Sequence, residues 1–415
     1  MKKTILRITL LIFCINSYSQ IKHYTKQGVI LNKTDSTAIP YVNIYSDTYK
    51  IGTVTNEIGE FLLNIPDTIS DKTITINSLG FLTKKISLDK FTNQIYISPS
   101  TEILDEIQIS TKTPKFEKLV DSIYTNLKKN YSNKRHLLKV FYRQTAIKDS
   151  SYLRIIEADI DLQEYGIKKP SDRDRIKVNN YRRSNDKMSS RYKKLWAIAS
   201  KMFGEKNELV WVNKGNFIKI FSKTKEYSLY HKNILKNYVF DYEYTTSINS
   251  DPVYVFTFYK KSLDGIVPLE NQQLSRIYIN AKDYAVLKFE KVSGYKKGNK
   301  FKNFIKDNYY YTKIGDYYYL SSAYKSVIYK NKETKIHKLH TYKVVTNRDD
   351  YKKVKRKDAE KINKDFTNKK YKNDSIFWKN YPILPEIPLL EKMKSLIQKE
   401  KKLNKQYQDN SNEKE

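Results

Sequence analysis

Apolar residues recur at every second position in run after run of this chain. That period demands extended backbone, because successive side chains of a strand leave opposite faces. Short runs come first: Gly28-Val29-Ile30-Leu31, Tyr41-Val42-Asn43-Ile44-Tyr45, Gly59-Glu60-Phe61-Leu62-Leu63, Thr73-Ile74-Thr75-Ile76, Gln94-Ile95-Tyr96-Ile97 and Glu106-Ile107-Gln108-Ile109. Closely spaced and without helical period, they predict a small antiparallel β-sandwich over 20–110. Longer runs follow at Leu138 to Ala146, Tyr152 to Leu162, Val210 to Phe221, Tyr238 to Tyr244, Val253 to Tyr259, Ser275 to Asn280, Ala285 to Val292, Tyr309 to Lys313, Tyr317 to Tyr329 and Thr334 to Val345. Hairpin turns at Asn280-Ala281-Lys282-Asp283 and Lys313-Ile314-Gly315-Asp316 join some of these runs into one large antiparallel sheet.

Two patches break the period. Phe116, Leu119, Val120, Ile123, Leu127 and Tyr131 fall at helical spacing, as do Met188, Tyr192, Leu195, Ala199 and Met202, so two amphipathic helices should cover one face of that sheet. The fold class is therefore mainly β with an α+β second domain: an N-terminal β-sandwich, then a large antiparallel sheet packed with a few helices. A length of 415 residues exceeds what one core usually serves, which agrees with two domains. The linker falls at 111–115, around Thr111-Lys112-Thr113-Pro114, and the sheet domain spans 116–348. Beyond it, 349–415 is Lys-rich and partly helical, with Leu389, Leu390, Met393, Leu396 and Ile397 at helical spacing; Trp378 is expected to pin this tail to the sheet.

The first domain also carries a resemblance. Gln27-Gly28-Val29, Ile39-Pro40-Tyr41-Val42-Asn43-Ile44, Gly52-Thr53-Val54-Thr55-Asn56-Glu57-Ile58-Gly59-Glu60-Phe61, Ser78-Leu79-Gly80-Phe81 and Leu104-Asp105-Glu106-Ile107 resemble, in order, the carboxypeptidase-regulatory-like domain. The resemblance implies a transthyretin-like β-sandwich of Gram-negative envelope proteins, with no catalytic task for the Asn56 loop. Further short motifs, Phe141-Tyr142-Arg143, Arg276-Ile277-Tyr278-Ile279, Tyr317-Tyr318-Tyr319-Leu320 and Asp374-Ser375-Ile376-Phe377-Trp378, resemble the region that follows this domain in a group of exported proteins. In outline, a long sheet with helices on one face is also similar to periplasmic lipoprotein carriers.

Residues 1–19 read as a secretory signal: basic Lys2, Lys3 and Arg7, an apolar run from Ile8 to Ile15, and Ser17-Tyr18-Ser19 at the cleavage point. The single cysteine, Cys14, lies inside that run, so the mature chain has no thiol for a disulfide or a Cys-bound metal. No later run approaches the roughly 18 apolar residues needed to cross a bilayer.

Chemistry is sparse. The five histidines are His23, His136, His231, His337 and His340, and none has a Glu three residues on; His337 and His340 sit at a spacing that sends strand side chains to opposite faces. Nucleophile-elbow, phosphate-loop and His-Glu-x-x-His patterns are absent. Glu157, Asp159 and Asp161 share one strand face, where pairing with Arg143 and Arg154 explains them without catalysis. No enzyme activity, cofactor or metal is therefore expected. The net charge of +33 attracts polyanions. For an exported chain these are lipid headgroups or anionic glycans rather than nucleic acid, with Arg173, Arg175, Arg182 and Arg183 as candidate contacts. The reading is a non-enzymatic envelope protein of the periplasm or outer membrane, binding or assembling with an envelope protein, lipid or anionic glycan and able to touch the membrane peripherally. An accessory of TonB-dependent uptake and a hydrolase with an unrecognised site are the alternatives. Mass spectrometry of the protein from its native envelope should find Gln20 at the N-terminus; a retained Met1, or a lipid on Cys14, would refute the signal reading.

Overall fold

The computed structural model describes residues 23–46, 51–56, 58–67, 73–100, 114–148, 151–167, 173–183, 216, 218–219, 238–248, 251–260, 275–297, 300–328, 334–345, 352–360 and 377–378. The expected helices at 188–202 and 389–397, the signal, the strand at Glu106–Ile109 and most of the linker lie outside them.

The first unit is a sandwich. Strands β1 (His23–Asn32), β4 (Glu60–Pro66) and β7 (Gln94–Ile97) form one sheet in the order β4-β1-β7. Strands β2 (Asn43–Ser46), β3 (Ile51–Val54), β5 (Thr73–Asn77) and β6 (Lys84–Ser87) form the other in the order β3-β2-β5-β6. Ile30, Ile44, Phe61, Leu63, Ile74, Ile76 and Ile95 fill the space between. The sheets are not wholly antiparallel as expected: β7 runs parallel to β1, Ile30 opposite Ile95. The chain crosses the second sheet before returning, so it arrives at β1 in the same direction. Gly59, at φ 75°, needs its missing side chain, since a Cβ there would sit 2.7 Å from the Ile30 carbonyl oxygen. Asn56 Oδ1 fixes the same turn by accepting from the Ile58 N–H at 3.0 Å and the Glu60 N–H at 2.9 Å.

The second unit begins with α1 (Phe116–Asn130), whose apolar positions are the ones the spacing indicates. Strands β8 (His136–Lys148), β9 (Ser151–Glu164), β10 (Arg175–Arg183), β11 (Tyr238–Ile248), β12 (Asp251–Lys260), β13 (Ser275–Asn280), β14 (Val286–Lys297), β15 (Lys300–Ile314), β16 (Tyr317–Ile328) and β17 (Thr334–Val345) follow. They make one ten-stranded sheet, β10-β9-β8-β17-β16-β15-β14-β13-β12-β11, every pairing antiparallel. The expected strand over Val210–Phe221 is not formed at its described positions, because Ile218–Lys219 is helical. Lys219 carries a charge into the apolar phase of that run, and its partners, described below, hold it in a turn.

Register gives the sheet two distinct faces. One row runs Tyr181, Ala158, Tyr142, His340, Ala323, Tyr309, Phe289, Ile277, Phe256, Tyr242 across all ten strands. The adjacent row reads Arg182, Glu157, Arg143, Leu339, Tyr324, Asn308, Glu290, Arg276, Thr257, Asp241. The apolar row faces α1, which lies across the strands: Phe116 stacks on Phe240 of β11 at 3.8 Å, and Tyr131, just past the helix, both accepts from and donates to the backbone of Val286. The expected C-terminal pin is present, Trp378 being buried against Arg182. Phe116→Ala should destabilise the protein by about 3–5 kcal/mol, read by urea unfolding; a loss under about 1 kcal/mol would mean that α1 does not dock as described.

Candidate functional site

The sheet's inner face divides into two halves. Over β11–β16 lies α1. Over β8–β10 the buried residues Leu138, Val140, Tyr142, Ile156, Ala158, Ile160, Leu162, Ile176, Val178 and Tyr181 make an apolar floor, and among the described residues Ile218 belongs to the same packed cluster. At one end of that floor the apolar alternation of each strand stops on a titratable group. His136 heads the series Leu138-Val140-Tyr142, Glu164 ends Ile156-Ala158-Ile160-Leu162, and Asp174 precedes Ile176-Val178. These three therefore face the same side as the floor, and Asn216 and Lys219 meet them.

The contacts form one buried network. Lys219 Nζ donates to Asp174 Oδ2, with both side chains buried. His136 Nε2 lies 3.1 Å from Glu164 Oε2. Asn216 Nδ2 donates to Glu164 Oε1 at 3.5 Å, while its Oδ1 accepts from Tyr311 OH at 3.2 Å. The Ile218 N–H donates to Tyr311 OH at 3.0 Å, and the Tyr165 N–H to Asp174 Oδ1 at 3.0 Å. Two carboxylates thus share one lysine, and their environments push them apart. Burial, helped by the charge of Glu164, raises Asp174 to about 7 against the pull of Lys219. Burial also acts upward on Glu164, but Lys219 and His136 outweigh it and hold that carboxyl at about 2. Proton exchange near neutrality therefore belongs to the pair, centred on Asp174. What this arrangement does is anchor the turn at Asn216 and Lys219 to three strand ends through charge.

The outer face has its own buried group. Glu157 accepts from Arg143 Nε at 2.7 Å and from Arg182 Nε at 2.6 Å, and Arg182 lies 4.5 Å above the Trp378 ring. Against the upward push of burial, the two guanidinium groups hold Glu157 below the ordinary carboxylate range. The pairing read from the sequence is thus present for Arg143, with Arg182 as the second partner; the side chain of Arg154 lies outside the described residues. These carboxylates are not surface groups, however: Glu157, Asp159 and Asp161 are all buried, because the tail segment and Trp378 cover this face. Lys139 donates to Asp161 at 2.5 Å.

The candidate arginines that are described in full have different surroundings, and the side chain of Arg183 lies outside the described residues. Arg173 is exposed, Arg175 donates through Nη1 to the Val354 carbonyl at 2.9 Å, Arg182 is bound up with Glu157, and Arg183 shares a register position with Ile156. His337 and His340 lie on β17 at opposite-facing positions. Among the described residues no group of three His, Cys, Asp or Glu side chains could hold a metal ion, and no helix is long and apolar enough to cross a membrane. Sequence reasoning missed Glu164, Asp174 and Lys219. A signal existed for the two carboxylates: each puts a charged group at a strand end in phase with apolar neighbours.

The pH dependence follows from the sign of each shift. Asp174, raised above its unfolded value near 4, binds its proton more tightly when folded, so its contribution fades as pH rises from about 4 to about 7. Glu164 acts oppositely and contributes above its unfolded value, fading as pH falls towards about 2. Stability measured by urea unfolding between pH 4 and 8 should therefore fall less steeply in Asp174→Asn than in the unsubstituted protein; parallel profiles would refute the assignment.

Comparison with known proteins bears on the first unit. The family described as the CarboxypepD_reg-like domain matches residues 26–109. No curated protein matches the chain. Among solved structures, a LolA superfamily protein from Nitrosomonas europaea is 9% identical, with 55% of this chain and 92% of that one covered at a TM-score of 0.23. A domain from Vibrio parahaemolyticus, named for outer membrane lipoprotein sorting, is 9% identical, with 57% and 97% covered at a TM-score of 0.22. Scores of this size leave the reading of the second unit to its own residues. The sandwich that precedes the ten-stranded sheet falls almost wholly within the stretch, residues 26–109, that matches the CarboxypepD_reg-like domain.

Proposed function

We propose that this chain is a non-enzymatic, exported envelope protein whose large sheet takes the apolar part of a lipid or similar ligand on its inner face. The observation that carries the reading is the mismatch between that face and its helix. Ten strands spaced about 4.8 Å apart span about 43 Å, whereas the 15 residues of α1 reach about 22 Å. The helix accounts for β11–β16. Over β8–β10 the described cover is Ile218, which its neighbour Lys219 fastens to Asp174. An apolar floor with a charged rim is the arrangement in which an acyl chain meets matching chemistry.

Other features support the same class. Every strongly shifted carboxyl described above has a protein partner, which favours a structural over a catalytic role. Exposed Arg173 and the lysines at Lys352 and Lys353 place positive charge near β10, suited to an anionic headgroup or glycan. Export rests on the Met1–Ser19 pattern.

Native mass spectrometry of protein purified from membranes, with flotation on phosphatidylcholine vesicles with and without phosphatidylglycerol, tests the proposal. A co-purifying apolar mass, and binding to anionic vesicles that weakens with salt, are expected. Protein that is empty and ignores anionic vesicles even at low salt would sink the lipid reading and leave scaffolding between envelope proteins.

A further inference from the structure

The sequence casts the sandwich as a module on a linker, yet the structure brings it against the ten-stranded sheet at two separated places, the outer face and the β11 edge. At the first, the Tyr41 ring lies 5.3 Å from Tyr310 of β15 and 5.4 Å from Tyr324 of β16, and Tyr41 is buried. At the second, the Gly80 N–H donates to the Ser247 carbonyl at the end of β11 at 3.0 Å, and the Ser100 and Ser247 hydroxyls are hydrogen-bonded. A Cβ on Gly80 would come within 3.4 Å of Thr246 Oγ1, so the approach is close.

Tyr41 is also one of only three non-glycine residues at positive φ among the described residues, at 58°. A bulky side chain there stores strain and persists where its surroundings over-determine it. Thr55 supplies part of that: its hydroxyl donates to the Ile39 carbonyl at 2.9 Å and accepts from the Val42 N–H at 2.8 Å, bracketing Tyr41. Tyr41 is not part of the sandwich core, whose buried cluster runs through Ile39, Val42 and Ile44. The strained turn therefore presents its ring outward, to the cleft between two tyrosines of the other unit.

From this geometry we infer that Tyr41 is a latch: its ring, seated between Tyr310 and Tyr324, locks the CarboxypepD_reg-like domain onto the outer face of the sheet, so the two units move as one body. The latch covers the outer face of β15 and β16 at Tyr310 and Tyr324. The inference stands apart from the lipid reading, because it depends only on the contact between the units.

The Ser100–Ser247 contact provides the test. In a Cys14→Ser background, the pair Ser100→Cys and Ser247→Cys should form a disulfide under mild oxidation, seen as a gel shift and a loss of two hydrogens by mass. Adding Tyr41→Ala should slow closure by roughly tenfold, the scale of a lost aromatic pair. Tyr324→Ala, on the sheet side, should slow it similarly, whereas Tyr41→Phe, which keeps the ring, should not. Failure of the cysteines to close in the folded protein, or closure as fast with Tyr41→Ala or Tyr324→Ala as without, would overturn the latch. Circular dichroism and lipid flotation on the same variants separate this outcome from misfolding and from failure of the lipid reading.

Discussion

Strict alternation in ten paired strands makes two broad faces, and a sheet of this width leaves neither one small enough to ignore. The apolar row from Tyr181 to Tyr242 must be removed from water, which α1 and the turn around Ile218 accomplish. The opposite row is polar, but it too is covered, by the sandwich at Tyr310 and Tyr324 and by Val354 and Trp378 near β10. Once a polar face is covered, its charges need partners, and Glu157 with its two arginines is the result. The sheet's edges are treated in the same economical manner. The Glu360 N–H reaches the Ile176 carbonyl on β10 at 2.7 Å, and Gly80 reaches Ser247 on β11, so both terminal strands have part of their backbone occupied from within the chain.

Most of the fold was legible because the signal for strands is local. Period-2 alternation in β8, β9, β12 and β16 needs no knowledge of partners, and the spacing from Phe116 to Tyr131 marks the helix unaided. Pairing direction was harder. The parallel contact of β1 with β7 depends on the path the chain takes between them, which no local pattern records. The misread positions were Ile218 and Lys219, within a run apolar enough for a strand, where Lys219 finds its carboxylate only in the folded molecule.

The candidate site was legible in part. Glu157 and Arg143 stand opposite one another in adjacent strands, so their pairing could be anticipated; Arg182 required the bulge between Val178 and Asn180 that sets the later residues of β10 against β9. The rim of His136, Glu164 and Asp174 was overlooked because only His136 was considered, as one histidine among five. In phase with their strands, they form a line of polar groups across three neighbouring strand ends, a pattern that is informative only when the strands are placed side by side.

That line also explains why charge is used at the rim at all. A well-packed apolar cluster there would stabilise the fold as much as, or more than, a buried lysine between carboxylates, since removing ions from water costs several kcal/mol each. What the ions add is position. Apolar side chains on the turn at Ile218 could slide along a floor of Ile, Leu and Val with little change in energy, whereas Lys219 is satisfied only where Asp174 and Glu164 converge, and Asn216 only where Tyr311 and Glu164 do. Ile218 is thereby held against the floor of β8–β10 by the charged contacts of its neighbour as well as by its own apolar packing.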